Sequence, residues 1–299
     1  MRTFFSTLLL SVGMLLWSHI TQAQDDLLSL AEATDSADSG NITGAFKATR
    51  LVNGHTVETN GQQELLFLIS HRFGTLNSGA YNLFGLDQAT IRLALEYGIT
   101  NRLTAGIGRS SLEKTYDGFL KYKLLQQSRG EKPIPVTLTL FSSLAVNTLR
   151  NGNTEREVTF KSRLAYTHQL LVARKFSERL SVQLAPSLVH RNMVATRQDE
   201  NNVYALGTGG RFKLTKRTSF NAEYYYVLPG ETADDYINAL SLGFDIETGG
   251  HVFQLIFTNA QGMVEKFFIP QNTGVWSDGD IYFGFNISRV FSLKKEKDW

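Results

Sequence analysis

Six histidines and a recurrent set of charged side chains are the residues best placed to do chemistry in this 299-residue sequence. His71, His168 and His190 keep step with apolar neighbours, so each belongs to the apolar face of its segment. Acyl hydrolysis on such a face pairs a histidine with a serine nucleophile two positions on. His168 is followed by Gln169 and Leu170, and His190 by Arg191 and Asn192, so that spacing is missing. Asp234-Asp235 has the composition of a solvated loop rather than of a protease rim. There is no cysteine, which excludes disulfides, thiolate metal sites, cysteine nucleophiles and a lipid attachment point. Gly106-Ile107-Gly108 and Gly207-Thr208-Gly209-Gly210 lie in strand-like runs with no helix behind them, so they are not phosphate loops. A formal net charge of +2 points to no polyanionic partner such as nucleic acid. No catalytic residue, metal or cofactor is expected.

The charged set is more informative because of what must hold it. Ile91, Leu93, Leu95, Tyr97 and Ile99 alternate with Thr90, Arg92, Ala94, Glu96 and Gly98. Phe220, Ala222, Tyr224 and Tyr226, and Leu240, Leu242, Phe244 and Ile246, alternate with polar partners in the same way. A period of two gives each strand one apolar and one polar face. About twelve such runs are expected, near 63–73, 88–99, 102–112, 115–126, 134–147, 156–173, 178–192, 202–214, 217–228, 236–247, 250–259 and 280–292. Parity then groups Arg72, Arg92, Glu96, Lys121, Lys123, Lys161, Arg163, Arg191, Arg211, Lys213, Glu223 and Asp245 on the polar face, with Glu64, Glu247, Gln183, Asn221, Asn286 and Ser288.

Turn lengths decide what the two faces meet. Thr100-Asn101, 174–178, 215–217 and 248–250 are tight, whereas 74–87, 149–155, 195–201, 229–235 and 260–279 are long; Gln126 to Lys132 and Ser110 to Lys114 depart from this pattern. Short turns at one end and long loops at the other are the layout of a transmembrane β-barrel; a soluble sandwich explains the alternation but not this asymmetry. The fold expected is therefore all-β: a transmembrane antiparallel up-and-down barrel with lipid-facing apolar residues and a polar lumen. Arg2, the apolar run from Phe4 to Trp17 and Thr21-Gln22-Ala23 read as a secretory signal peptide over 1–23. Residues 24–60 form a periplasmic N-terminal segment, in which Asn53-Gly54 separates two short runs as a hairpin would. That piece either sits below the barrel or tucks into it as a plug. The barrel occupies 61–293, and 294–299 is a periplasmic tail.

Ser70-His71-Arg72-Phe73-Gly74, Glu96-Tyr97-Gly98, Tyr116 to Lys123, Gly209 to Leu214 and Phe283 to Phe291 resemble a Bacteroidota outer-membrane barrel family, domain of unknown function 5777. The resemblance runs from about Gly44 to Phe291 and implies the barrel fold and an outer-membrane location. It implies no activity and no site residues. Phe283, Phe285, Ile287 and Phe291 on the final strand look like the signal read by barrel-assembly machinery. Expected partners are outer-membrane lipid, that machinery and a small solute. The basic lean of the lumen favours a narrow porin-like channel for small polar or anionic solutes. A non-transporting scaffold barrel of an envelope complex is the alternative, and a lipid hydrolase comes last.

Overall fold

The alternation becomes twelve antiparallel strands closed into one barrel. The structure, a computed structural model, describes residues 40–150, 158–230, 232 and 235–294. The expected signal peptide, the stretch 24–39, Asp234 and the tail beyond 294 lie outside the described residues. The strands are β1 (Glu64–Thr75), β2 (Ala89–Thr100), β3 (Leu103–Ser110), β4 (Tyr116–Leu125), β5 (Thr137–Val146), β6 (Leu164–Lys175), β7 (Leu180–Arg191), β8 (Asn202–Lys213), β9 (Thr218–Val227), β10 (Ala239–Thr248), β11 (His251–Thr258) and β12 (Tyr282–Ser292). Each pairs with its sequence neighbours, and β1 pairs β12 to close the ring. Closure leaves no strand edge, so every strand's backbone is hydrogen-bonded within the wall, as a bilayer requires. No helix among the described residues is long and apolar enough to cross a membrane, so the strands do the crossing.

Leu93, Leu95, Leu140, Leu144, Leu184, Leu206 and Phe244 point outward and are exposed to the surroundings of the barrel. Their neighbours in sequence point inward and are buried. The twelve expected runs match the strands within a few residues, with one correction. The run over 156–173 begins as a strand only at Leu164; residues 158–163 are loop, with a single 3-10 turn at Lys161–Arg163. Val158 and Phe160 alternate with polar residues, but the last backbone bond of this pairing is the one the Asn147 N–H donates to the Arg163 carbonyl. β5 therefore has no further backbone to offer them.

The inside of the barrel is filled from both ends. From the short-turn end, residues 44–60 enter the lumen and return to β1. Their turn is closed by Leu51 N–H to the Gly54 carbonyl and Thr56 N–H to the Thr49 carbonyl. The Asn-Gly hairpin thus forms, but as a compact loop inside the barrel rather than as a ribbon beneath it. From the long-loop end, the β11–β12 connection folds inward around the one-turn helix α1 (Glu265–Phe268), all four residues of which are buried. Phe46, Leu51 and Val57 of the first insert pack on Phe119, Phe141, Leu171 and Ala185 of the wall. Phe268 and Ile269 of the second pack on Val189, Val203, Ala205 and Tyr225. The lumen face is therefore not uniformly polar: it carries apolar side chains where the inserts press against it.

Candidate functional site: a plugged lumen

The inward residues of β4, β5, β7, β9, β11 and β12 hold the first insert mainly by its backbone. The Glu223 carboxylate accepts the N–H groups of Val52, Asn53 and Gly54 at 3.0–3.4 Å. Lys121 Nζ donates to the carbonyls of Thr49, Thr56 and Glu58 at 3.4, 3.0 and 2.7 Å. Gln183 reads two groups at once, donating to the His55 carbonyl at 2.8 Å and accepting the Val57 N–H at 2.9 Å. Gln254 donates to the carbonyls of Arg50 and Leu51, Asn286 to that of Val52, and Thr139 to that of Val57. A backbone taken out of water needs partners for these groups, and the wall supplies them.

Most of the charges find partners too, although neither carboxylate oxygen of Glu96 has a hydrogen-bond partner. Arg92 Nε donates to Asp117 Oδ1 at 2.9 Å, and the second guanidinium nitrogen completes a bidentate pair. Arg72 reaches Asn53 Oδ1 at 2.8 Å and Asn286 Oδ1 at 3.2 Å. Lys123 lies 3.6 Å from Glu58. Asp245 accepts from Gln254 at 2.8 Å. Glu96 is buried beside the insert, whose Asn60 side chain donates to the Glu96 carbonyl at 3.2 Å. Arg50 of the first insert meets Glu265 of the second at 2.9 Å. Arg72, Arg92, Glu96 and Lys121 are each at most 1% exposed. Among the described residues the inserts thus cover these four side chains from water.

Of the side chains that parity groups together, Arg72, Arg92, Glu96, Lys121, Lys123, Glu223 and Asp245 stand buried around the inserts. Arg211 and Lys213 stand at the short-turn mouth. There a cavity of about 230 Å³ is lined by Lys47, Arg129, Lys175, Glu178, Arg211 and Lys213. Lys161 and Arg163 do not line the lumen. They sit in the turn before β6, where Arg163 donates to the carbonyls of Asn147 and Leu149. Arg163 instead borders a smaller cavity of about 170 Å³ at the long-loop end, with Glu113, Arg191 and Lys266.

Two features escape the sequence reading. Phe119 and Phe141 face inward, and their only signal is a pair of broken alternations, Phe119-Leu120 and Leu140-Phe141. His168 does find a serine, though not two residues on. Ser142 of β5, directly opposite in the ladder, lies 3.0 Å from His168 Nδ1 on the lipid-facing side. Among the described residues no acid orients the other ring nitrogen, and the neighbouring amides are engaged in the sheet. Within the described residues the two side chains satisfy each other.

Residues 46–291 match the model of a family described as a membrane-bound beta barrel domain, DUF5777. The chain belongs to that family. No curated protein matches this DUF5777 chain in sequence. Among solved structures, the NanC porin is similar at 10% identity, covering 77% of this chain and 100% of that one, with a TM-score of 0.47. An outer membrane channel from Pseudomonas putida F1 is similar at 14% identity, 82% and 100% coverage and a TM-score of 0.47. The KdgM porin follows at 10% identity, 77% and 99% coverage and 0.45. These likenesses concern barrel shape, and no function of the DUF5777 chain is drawn from them.

Proposed function

We propose that this chain is an outer-membrane channel of the plugged type. It passes small polar or anionic solutes when the inserts yield, with the short-turn end in the periplasm. One observation carries this reading: the cavity at that end is lined by five basic side chains, Lys47, Arg129, Lys175, Arg211 and Lys213, against two carboxylates, Glu178, which lies 3.1 Å from Lys175, and the adjoining Glu247, which lies 2.8 Å from Lys47. A mouth of one sign concentrates solutes of the other. Planar-bilayer recording tests it. The wild type is expected to stay mostly closed, and Glu265→Gln, which loosens the contact between the inserts, to open and to prefer chloride over potassium. Absence of conductance from the loosened chain, or a cation preference, overturns the reading.

A second reading, a barrel that transports nothing, is favoured by the density of buried bonds to residues 49–58. Cysteines at Val57 and Thr139, where the Thr139 hydroxyl meets the Val57 carbonyl at 3.0 Å, place two thiols near enough to lock the insert with a short thiol cross-linker. The chain has no other cysteine to interfere. If the lock changes neither conductance nor growth, the second reading prevails.

A further inference from the structure

We propose that the solute admitted by this barrel is a short oligopeptide, and that residues 48–58 occupy the lumen as an intramolecular surrogate for it. This rests on the channel reading above and names its substrate class.

The wall is complementary to polypeptide main chain rather than to a generic anion. Glu223 gathers three successive N–H groups, and Lys121 gathers three carbonyls. Gln183 is the most specific reader. Its side-chain amide takes the carbonyl of residue 55 and the N–H of residue 57, as a neighbouring strand's peptide group would. An ionised phosphate offers acceptors only, and a sugar offers both functions through rotatable hydroxyls rather than through the fixed, planar alternation of a peptide backbone. Because these contacts go to the backbone, they tolerate many sequences. Side chains enter a separate apolar slot formed by Phe119, Phe141, Leu171 and Ala185. The basic cavity at the periplasmic mouth suits a peptide's terminal carboxylate. Specificity remains at the turn, where Tyr225 and Glu223 leave room only for glycine.

The test uses the full-length chain carrying Glu265→Gln and a fluorescent synthetic peptide with the sequence of residues 46–58, followed by anisotropy in detergent. Saturable binding is expected, at least about ten-fold tighter than to the wild type or to the chain locked through Val57→Cys and Thr139→Cys. Gln183→Leu in the loosened background should weaken it by about ten-fold. The same peptide N-methylated at the positions of Asn53 and Val57 should fail to bind, since only its main-chain donors have changed. Arg50→Met serves as a second loosened chain, with folding of each read by heat-modifiable gel mobility. No saturable binding to either folded, loosened chain, or equal binding of the N-methylated peptide, overturns the proposal. Conductance without peptide binding overturns this inference and leaves the channel reading standing; binding without conductance overturns the channel reading, and the transport step of this proposal with it.

Discussion

Arg50 Nη1 lies 2.9 Å from Glu265 Oε1, although 215 positions separate the two residues and they enter the barrel from opposite ends. Their side chains are 4% and 2% exposed. The guanidinium also donates to the Asn53 carbonyl at 2.8 Å, so the pair joins the tip of the first insert to α1 of the second. Removing one member leaves the other charge buried without its partner, a loss of about 3–5 kcal/mol, whereas replacing both with apolar groups costs less. Arg50→Met or Glu265→Leu alone should therefore destabilise the folded barrel more than the double substitution does. Urea unfolding in micelles, followed by tryptophan fluorescence, measures this.

Gly54 sits under Tyr225. A Cβ at position 54 would lie 2.2 Å from Tyr225 Oη and 3.0 Å from Glu223 Oε2. Gly54→Ala should unseat the turn at a cost of about 1–3 kcal/mol and expose residues 44–60 to protease. Tyr225→Phe removes the nearest clashing atom and should restore part of the protection.

Gly108 has a comparable role in the wall. It stands between Ala94 and Asp117 in the ladder, and the Arg92 side chain crosses it to reach Asp117. A Cβ there would lie 2.5 Å from Arg92 Nη2. Gly108→Ala is expected to break the Arg92–Asp117 pair and lower stability by about 1–3 kcal/mol, seen as a lower temperature of heat modification on gels.

His55 lies in the insert, outside the strands, with its ring 4.5 Å from Phe119 and 4.2 Å from Phe141. Burial above all, and then the charges of Arg50, Lys121 and Arg92, hold its pKa well below the ordinary value. A backbone bond involving Thr49 opposes this, and the Glu265 carboxylate faces Nε2 at 3.8 Å. The seated ring is therefore neutral. The contribution of His55 to seating is complete above the ordinary histidine value of about 6.5 and is lost as pH falls through the lowered folded value. Protease access to residues 44–60 should rise on acidification below that point. His55→Phe keeps the ring contacts and should remove this acid response.

Ser142 and His168 face lipid as a self-satisfied pair. Ser142→Ala and His168→Leu should leave envelope lipid turnover unchanged, and a fluorophosphonate probe should not label Ser142. Replacing a polar group on the lipid face with leucine should, if anything, raise stability.

How far the sequence reveals this architecture depends on the length scale of the signal. A period of two is a local property, so strands such as β2 and β10 are readable from ten residues each. Turn length is equally local, and it tells the two ends of the barrel apart. The strand before Leu164 is misread because Val158 and Phe160 keep the period while Asn147, already in a loop, gives no partner strand. The lumen is harder still. Parity groups Arg92 with Lys121 and Glu223 on one face, but it does not show that Arg92 bonds Asp117 while Lys121 and Glu223 hold the backbone of residues 49–58. Those contacts join residues 25 to 171 positions apart, and short-range patterns do not encode them. Ser142 beside His168 is missed for the same reason: the pair is made by strand register, not by spacing.

The seam between β1 and β12 bears on how the molecule comes to exist. Arg72 on β1 and Asn286 on β12 bond to each other, and both also hold residues 52–53 of the insert. Those two residues leave the ribosome before any strand, and β12 leaves last. In the closed seam the inner polar groups of Arg72 and Asn286 are satisfied in part by the turn at Asn53 seated between its edges. Residues 52–53 are therefore part of the closed seam as well as of the insert. A chain with a faulty insert would then fail at biogenesis, as a shortage of closed barrels in the membrane, before any question of transport arises.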